Sequence, residues 1–203
     1  MTQKTRICAN LRFLRHLRSF QNQKIVQKLL LHTCCAPCSA SIIEWLMAND
    51  VRPTLYFFNP NIFPFAEYEI RKKECVRYAQ SLGLEIVDAD YDYEQWLADI
   101  CGLENEPERG NRCLQCFKIR MLATAKYANE HGFEHFATTL ASSRWKDLAQ
   151  IAEAGNEAAN LFPKINFLEK NWRKDGLSEL RRILLVENNF YNQQYCGCEF
   201  SVR

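Results

Sequence analysis

Leu29-Leu30-Leu31-His32-Thr33-Cys34-Cys35-Ala36-Pro37-Cys38-Ser39 is the stretch that decides how the rest of the chain is read. Leu29, Leu30 and Leu31 form a short apolar run, the pattern of a buried strand. Pro37 suits the first turn of a helix, because its ring fixes φ near the helical value and no backbone hydrogen bond is lost there. The helix that follows carries Ile42, Ile43, Trp45 and Leu46 toward a core. Cys34, Cys35 and Cys38 therefore fall at a strand-to-helix turn. The unpaired N–H groups of a helix N-terminus favour negative charge at that place. Thiolates are stabilised there, and thiolates bind soft metals and react.

Outward from this turn, strands and helices alternate. Residues 54–59 read as a second strand, rich in aromatic and β-branched side chains. A loop punctuated by Pro60 and Pro64 follows. Residues 66–81 read as a helix with the stripe Tyr68, Cys75, Ala79 and Leu82, stopped at Gly83. Residues 85–90 form a third strand, and 91–100 a helix around Trp96 and Leu97. The polar stretch 101–112 reads as a loop that delivers Cys113 to open a helix, with Leu114, Phe117, Met121, Ala125 and Ala128 on one face. His131-Gly132 ends it. Residues 136–140 are the fourth strand, and helices are expected over 146–159 and 177–188. The alternation implies a single α/β domain, a parallel sheet with helices on both faces. In such sheets ligands bind beyond the carboxyl ends of the strands, where the first cysteine turn falls.

The 203 residues are 47% hydrophobic and 25% charged, a globular composition. No apolar run approaches the roughly 20 residues that span a bilayer, and the basic N-terminus lacks the apolar core of a signal peptide. The expectation is a cytoplasmic protein with no membrane partner. Ten cysteines would suggest disulfides in a small secreted protein. Here most are clustered two or three apart, which suits a metal or redox chemistry in a reducing compartment. The net charge of +2 hides an asymmetry, since residues 1–43 hold seven basic residues and no acid. Residues 1–28 are accordingly read as a basic extension, either an arm that touches nucleic acid or a solvated leader. Residues 29–203 are read as the working domain.

Each cysteine group carries alternatives. Cys113 and Cys116 at a helix start repeat the logic of the first turn. Together the two groups supply enough thiolates for tetrahedral zinc or an iron–sulfur cluster. A zinc reading takes Cys35, Cys38, Cys113 and Cys116 as a closed structural site. The isolated Cys8, Cys75 and Cys101 are read as packing residues, Cys75 because it lies on an apolar stripe. Cys196-Gly197-Cys198 closes only a small strained ring if oxidised, and strain makes such a bond easier to reduce. That pair can hand on two electrons, or serve as metal ligands. His32, within a buried strand, is read as a satisfied core residue before a ligand.

Six motifs in order resemble the epoxyqueuosine reductases of the QueH type. They are His32-Thr33-Cys34-Cys35-Ala36-Pro37-Cys38, Phe58-Asn59-Pro60-Asn61-Ile62, Glu67-Tyr68 with Arg71, Arg112-Cys113-Leu114-Gln115-Cys116-Phe117-Lys118-Ile119-Arg120, Thr138-Thr139-Leu140 and Tyr195-Cys196-Gly197-Cys198. The resemblance implies a Rossmann-like sheet similar to the adenine-nucleotide alpha-hydrolase fold, with the cysteine turn in place of that group's glycine-rich ATP loop. It implies reduction of the epoxide of epoxyqueuosine, carried in tRNA, to queuosine. It also implies a 4Fe–4S cluster on Cys34, Cys35, Cys113 and Cys116, a redox-active Cys196–Cys198 disulfide, and an external electron donor. Cys38 is the candidate ligand of a second, mononuclear iron or zinc ion acting as Lewis acid. Asp147 and Glu108 are candidate proton donors. Phe63, Phe65, Trp145 and Trp172 are candidate base-stacking residues, each weighed first as core. Arg71, Arg112, Arg120, Arg144 and Lys146 are candidate phosphate contacts. The rival readings are a zinc-stabilised RNA-binding module without catalysis and a thiol oxidoreductase that uses only Cys196 and Cys198.

Overall fold

Leu29–His32 forms β1, and all four of its side chains are buried, which is why the run shows no alternation between faces. The computed structural model describes residues 28–202; the basic extension, Lys28 apart, and Cys8 lie outside them. Thr54–Phe57 (β2), Ile86–Asp88 (β3), His135–Thr138 (β4) and Asn166–Phe167 (β5) complete a five-stranded sheet in the order β3-β2-β1-β4-β5. Every pairing is parallel, with Leu31 opposite Leu55 on one side and Ala137 on the other.

Six helices accompany the strands: Ala36–Ala48 (α1), Phe65–Ser81 (α2), Tyr93–Asp99 (α3), Asn111–Glu130 (α4), Leu148–Asn160 (α5) and Leu177–Glu187 (α6). α1 packs with α2 and α6, whereas α4 packs with α5. The strand order reverses direction beside β1, so right-handed crossovers place these two groups on opposite faces. Ile42, Ile43, Phe57, Met121 and Phe136 are wholly buried between the layers. Cys75 is buried on α2, in keeping with the apolar stripe.

Element boundaries depart from the sequence expectations where a polar side chain makes the first turn. Asp92 caps α3 by accepting from the Gln95 amide at 2.9 Å. Asp147 caps α5 by accepting from Ala149 and Gln150, so that helix starts at Leu148 rather than 146. α4 begins at Asn111, whose amide donates to the Glu106 carboxylate at 2.9 Å; Cys113 is thus its third residue and not its opener. β5 went unread because two residues carry no periodic pattern. Among the described residues no helix is long and apolar enough to cross a membrane.

Candidate functional site

The turn after β1 lies at the carboxyl end of the central strand. Cys35 is the N-cap of α1 with an extended backbone (φ −171°), and Pro37 occupies the helix's first turn. The Sγ atoms of Cys34, Cys35 and Cys38 all lie within 4.8 Å of one another. Thr139, from the 3-10 turn Thr139–Ser142 that follows β4, accepts from the Cys34 amide at 3.2 Å and donates to its sulfur at 3.5 Å. Hydrogen bonds from the Cys35 and Cys38 thiols hold the Cys34 pKa well below its ordinary value. Burial, together with its neighbours, pushes Cys35 well up.

His32 stands directly beneath. It is wholly buried, with Nδ1 2.8 Å from the Thr138 hydroxyl and Nε2 3.0 Å from the Phe58 carbonyl. Thr138 Oγ1 also accepts from the Leu140 amide, and Arg120 Nε lies 3.4 Å from the ring's Nε2. Burial, then the Arg120 charge, lowers the His32 pKa to about 3. His32 is a neutral core residue joining β1, β4 and the segment after β2, as the sequence suggested.

Cys113 and Cys116 come from the first turns of α4. The Arg109 amide donates to Cys113 Sγ at 3.3 Å. Cys116 packs with Trp96, Ile100 and Cys198 in a small apolar cluster. Burial raises the pKa of both Cys113 and Cys116. Arg120, one turn beyond Cys116 and itself buried, donates to Asn59 Oδ1, and Asn59 donates to the Thr33 carbonyl. This cation links the helix of the second thiol pair to the turn of the first.

The C-terminal segment completes the site. Arg71 on α2 donates to the backbone carbonyls of Cys196 (3.0 Å) and Tyr195 (3.3 Å) while paired with Glu67 at 2.7 Å. Glu67 accepts from Tyr191, the Phe63 amide donates to the Gly197 carbonyl, and the Tyr195 hydroxyl donates to the Phe63 carbonyl. Gly197 has φ +118°, and a Cβ there would lie 3.0 Å from Arg71 Nη1 and from Ile62. Glycine is what this close turn admits. Gln193 donates to Cys35 Sγ at 2.8 Å, a contact that no sequence pattern signals. Cys196 and Cys198 are both free thiols here; burial, then Cys116, pushes the Cys198 pKa up to about 12.

Lys146 ties the groups together. It is half-buried. Burial opposes its charge, yet the sulfurs of Cys196, Cys34 and Cys38 hold its pKa above the usual lysine value. Other sequence-predicted residues sort differently. Arg71, Arg112 and Arg120 are 3%, 3% and 2% exposed and donate inward, so they are not surface phosphate contacts. Phe63, Phe65 and Trp145 are exposed rather than core, whereas Trp172 is core. Cys101 is exposed and not a packing residue. The Asp147 carboxylate is engaged as a helix cap. The donor set of soft thiols, with Arg120 and Lys146 offsetting their charge, fits an iron–sulfur group in its chemistry.

Comparison with known proteins follows the same line. Residues 29–203 match the family described as Epoxyqueuosine reductase QueH. Epoxyqueuosine reductase QueH of Haemophilus influenzae is 46% identical over 176 residues, covering 87% of this chain and 72% of that one. The QueH of Acinetobacter baylyi is 44% identical, covering 87% and 81%, and that of Thermotoga maritima is 32% identical, covering 86% and 90%. Among solved structures, the U34-tRNA thiolase NcsA from Methanococcus maripaludis, described with its [4Fe-4S] cluster, superposes with a TM-score of 0.54 at 12% identity, over 97% of this chain and 69% of that one. That likeness concerns the fold.

Proposed function

The chain belongs to the epoxyqueuosine reductase QueH family and is an oxidoreductase, and from that premise we propose that it reduces epoxyqueuosine in tRNA to queuosine with an iron–sulfur cluster and the Cys196/Cys198 pair. The observation that carries the reading is the group of three close thiols on the β1 turn, with the docked C-terminal segment bonded to Cys35 through Gln193.

Removing the epoxide oxygen as water takes two electrons and two protons. Cys196 and Cys198 can supply both: two S–H bonds break, one S–S bond forms, the two C–O bonds give an alkene, and water leaves. An external thiol or other two-electron reductant then restores the dithiol. Arg71 holds the Cys196 carbonyl in place for this exchange. Lys146 would stabilise negative charge on the departing oxygen and relay one of the two thiol protons to it. Thr139 and Gln193 keep the Cys34 and Cys35 sulfurs oriented. Cys34, Cys35, Cys113 and Cys116 are the residues that would hold the cluster, with Cys38 left for a mononuclear iron or zinc ion. Such a cluster supplies electron transfer one at a time, at a potential tuned by its thiolates and their hydrogen bonds. A reducing cytoplasm suits this set of thiols.

The test is incubation of epoxyqueuosine-containing tRNA with anaerobically reconstituted protein and a reductant, followed by nucleoside mass analysis. Queuosine should appear, and the protein should be brown and bleach on reduction. Colourless protein holding one zinc, no sulfide and no turnover would instead establish the RNA-binding module without catalysis.

A further inference from the structure

We infer that the loop at residues 143–147, braced by Arg109 and Arg173, receives the unpaired loop of the RNA substrate, with the Trp145 indole as its stacking platform. This rests on the reductase reading for the identity of the RNA. Of the four tryptophans, Trp45, Trp96 and Trp172 are 6%, 1% and 2% exposed, whereas Trp145 is 55% exposed. An exposed indole offers a base a broad π face on which to stack. The Arg144 guanidinium lies 4.6 Å from the centre of that indole.

Three successive carbonyls of the loop are held by arginines. Arg109 donates to Arg144 and Trp145, each at 3.0 Å, and Arg173 donates to Lys146 at 2.6 Å. Arg109 adopts a left-handed backbone (φ +68°), fixed by Gln150 donating to its carbonyl at 2.8 Å. Arg173 retains a buried Nε with no hydrogen-bond partner. The loop is therefore rigid before any ligand arrives, and rich in cations. Its own acid, Asp147, is engaged in capping α5. Single-stranded nucleic acid needs this combination, a flat ring for a base and guanidinium groups for phosphates.

Position favours the same answer. Arg109 touches Cys113 Sγ through its amide and the Trp145 loop through its guanidinium, so the loop sits beside the thiol pair of α4. Of the other exposed aromatics among the described residues, Tyr191 donates to the Glu67 carboxylate, and Phe63 and Phe65 pack on Tyr93 and Tyr91, in a segment carrying Asp90, Asp92 and Glu94. Those charges repel phosphates.

The experiment measures binding of a fluorescein-labelled anticodon-type RNA hairpin to the full chain, reconstituted anaerobically, by anisotropy at several salt concentrations. Trp145→Ala should weaken binding about tenfold and Trp145→Phe far less, because a phenyl ring still stacks. Arg144→Ala should lower the slope of log affinity against log salt by about 0.7 to 0.9, one phosphate contact. In turnover, Trp145→Ala should raise KM and leave kcat at saturating tRNA unchanged. Hairpin binding by Trp145→Ala within twofold of wild type, with its circular dichroism unaltered, would overturn the inference. So would equal competition by a fully paired duplex. Wild-type protein that binds the hairpin through Trp145 yet converts no epoxyqueuosine would sink the reductase reading and leave the surface standing.

Discussion

His32 stays neutral in the folded protein because it is wholly buried and faces the Arg120 charge, which together lower its pKa to about 3. The unfolded chain takes up that proton near the ordinary value of 6.5. Stability from this group is therefore fully present above pH 6.5 and declines as pH falls toward 3. Urea unfolding should show it as a loss of up to ~1.4 kcal/mol per pH unit below pH 6. His32→Asn should lower stability at pH 7 yet flatten that slope, and an unchanged slope would show that His32 is not its source. At this scale the grouping of Cys34, Cys35 and Cys38 was legible from their spacing at a strand-to-helix turn. The arginines were not. Arg71, Arg112 and Arg120 serve buried backbone carbonyls and an asparagine, and carbonyls leave no mark in a sequence.

Strands and helices were readable wherever an apolar run or stripe was long enough, as in β1 and α4. They were unreadable where tertiary contacts do the work. The C-terminal segment, residues 189–202, has almost no regular structure, and Arg71, Glu67 and the Phe63 peptide hold it against α2 and the loop before it. Arg71→Met should free it. Limited proteolysis should then cut near Tyr195 at least several times faster, and epoxide turnover should fall by more than tenfold, while α-helical circular dichroism stays the same. β5 was hidden for a different reason: its Phe167 packs 5.0 Å from Phe136 and against the bare backbone of Gly155 on α5. A Cβ at Gly155 would lie 2.3 Å from the Phe167 ring. Alanine gains about 1 kcal/mol of helix propensity over glycine, whereas overpacking costs about 1–3 kcal/mol. Gly155→Ala should therefore destabilise the protein, by about 1 kcal/mol in urea unfolding. A gain in stability would mean that the ring moves freely aside.

The molecule as a whole sets the Cys34, Cys35 and Cys38 thiols at the place where the strand order reverses, between β1 and β4, where a parallel sheet opens a crevice at its carboxyl ends. The sequence indicated that place through the turn after β1. It could not indicate that the C-terminal segment reaches it, through Gln193 on Cys35, because that segment arrives as a loop. If Cys113 belongs to a shared iron site, Cys113→Ser should purify with markedly less iron and sulfide and without turnover, though its melting temperature stays close to that of the apoprotein. Retained turnover would favour a dithiol acting alone. The three sulfurs of Cys34, Cys35 and Cys38, all within 4.8 Å of one another, have one more consequence. Trivalent arsenic takes three thiolates in a pyramid, and this tripod is presented ready-made. Arsenite should bind the iron-free protein one to one, and Cys38→Ser should lose that binding, so that whatever these three thiols hold or do is open to metalloid poisoning.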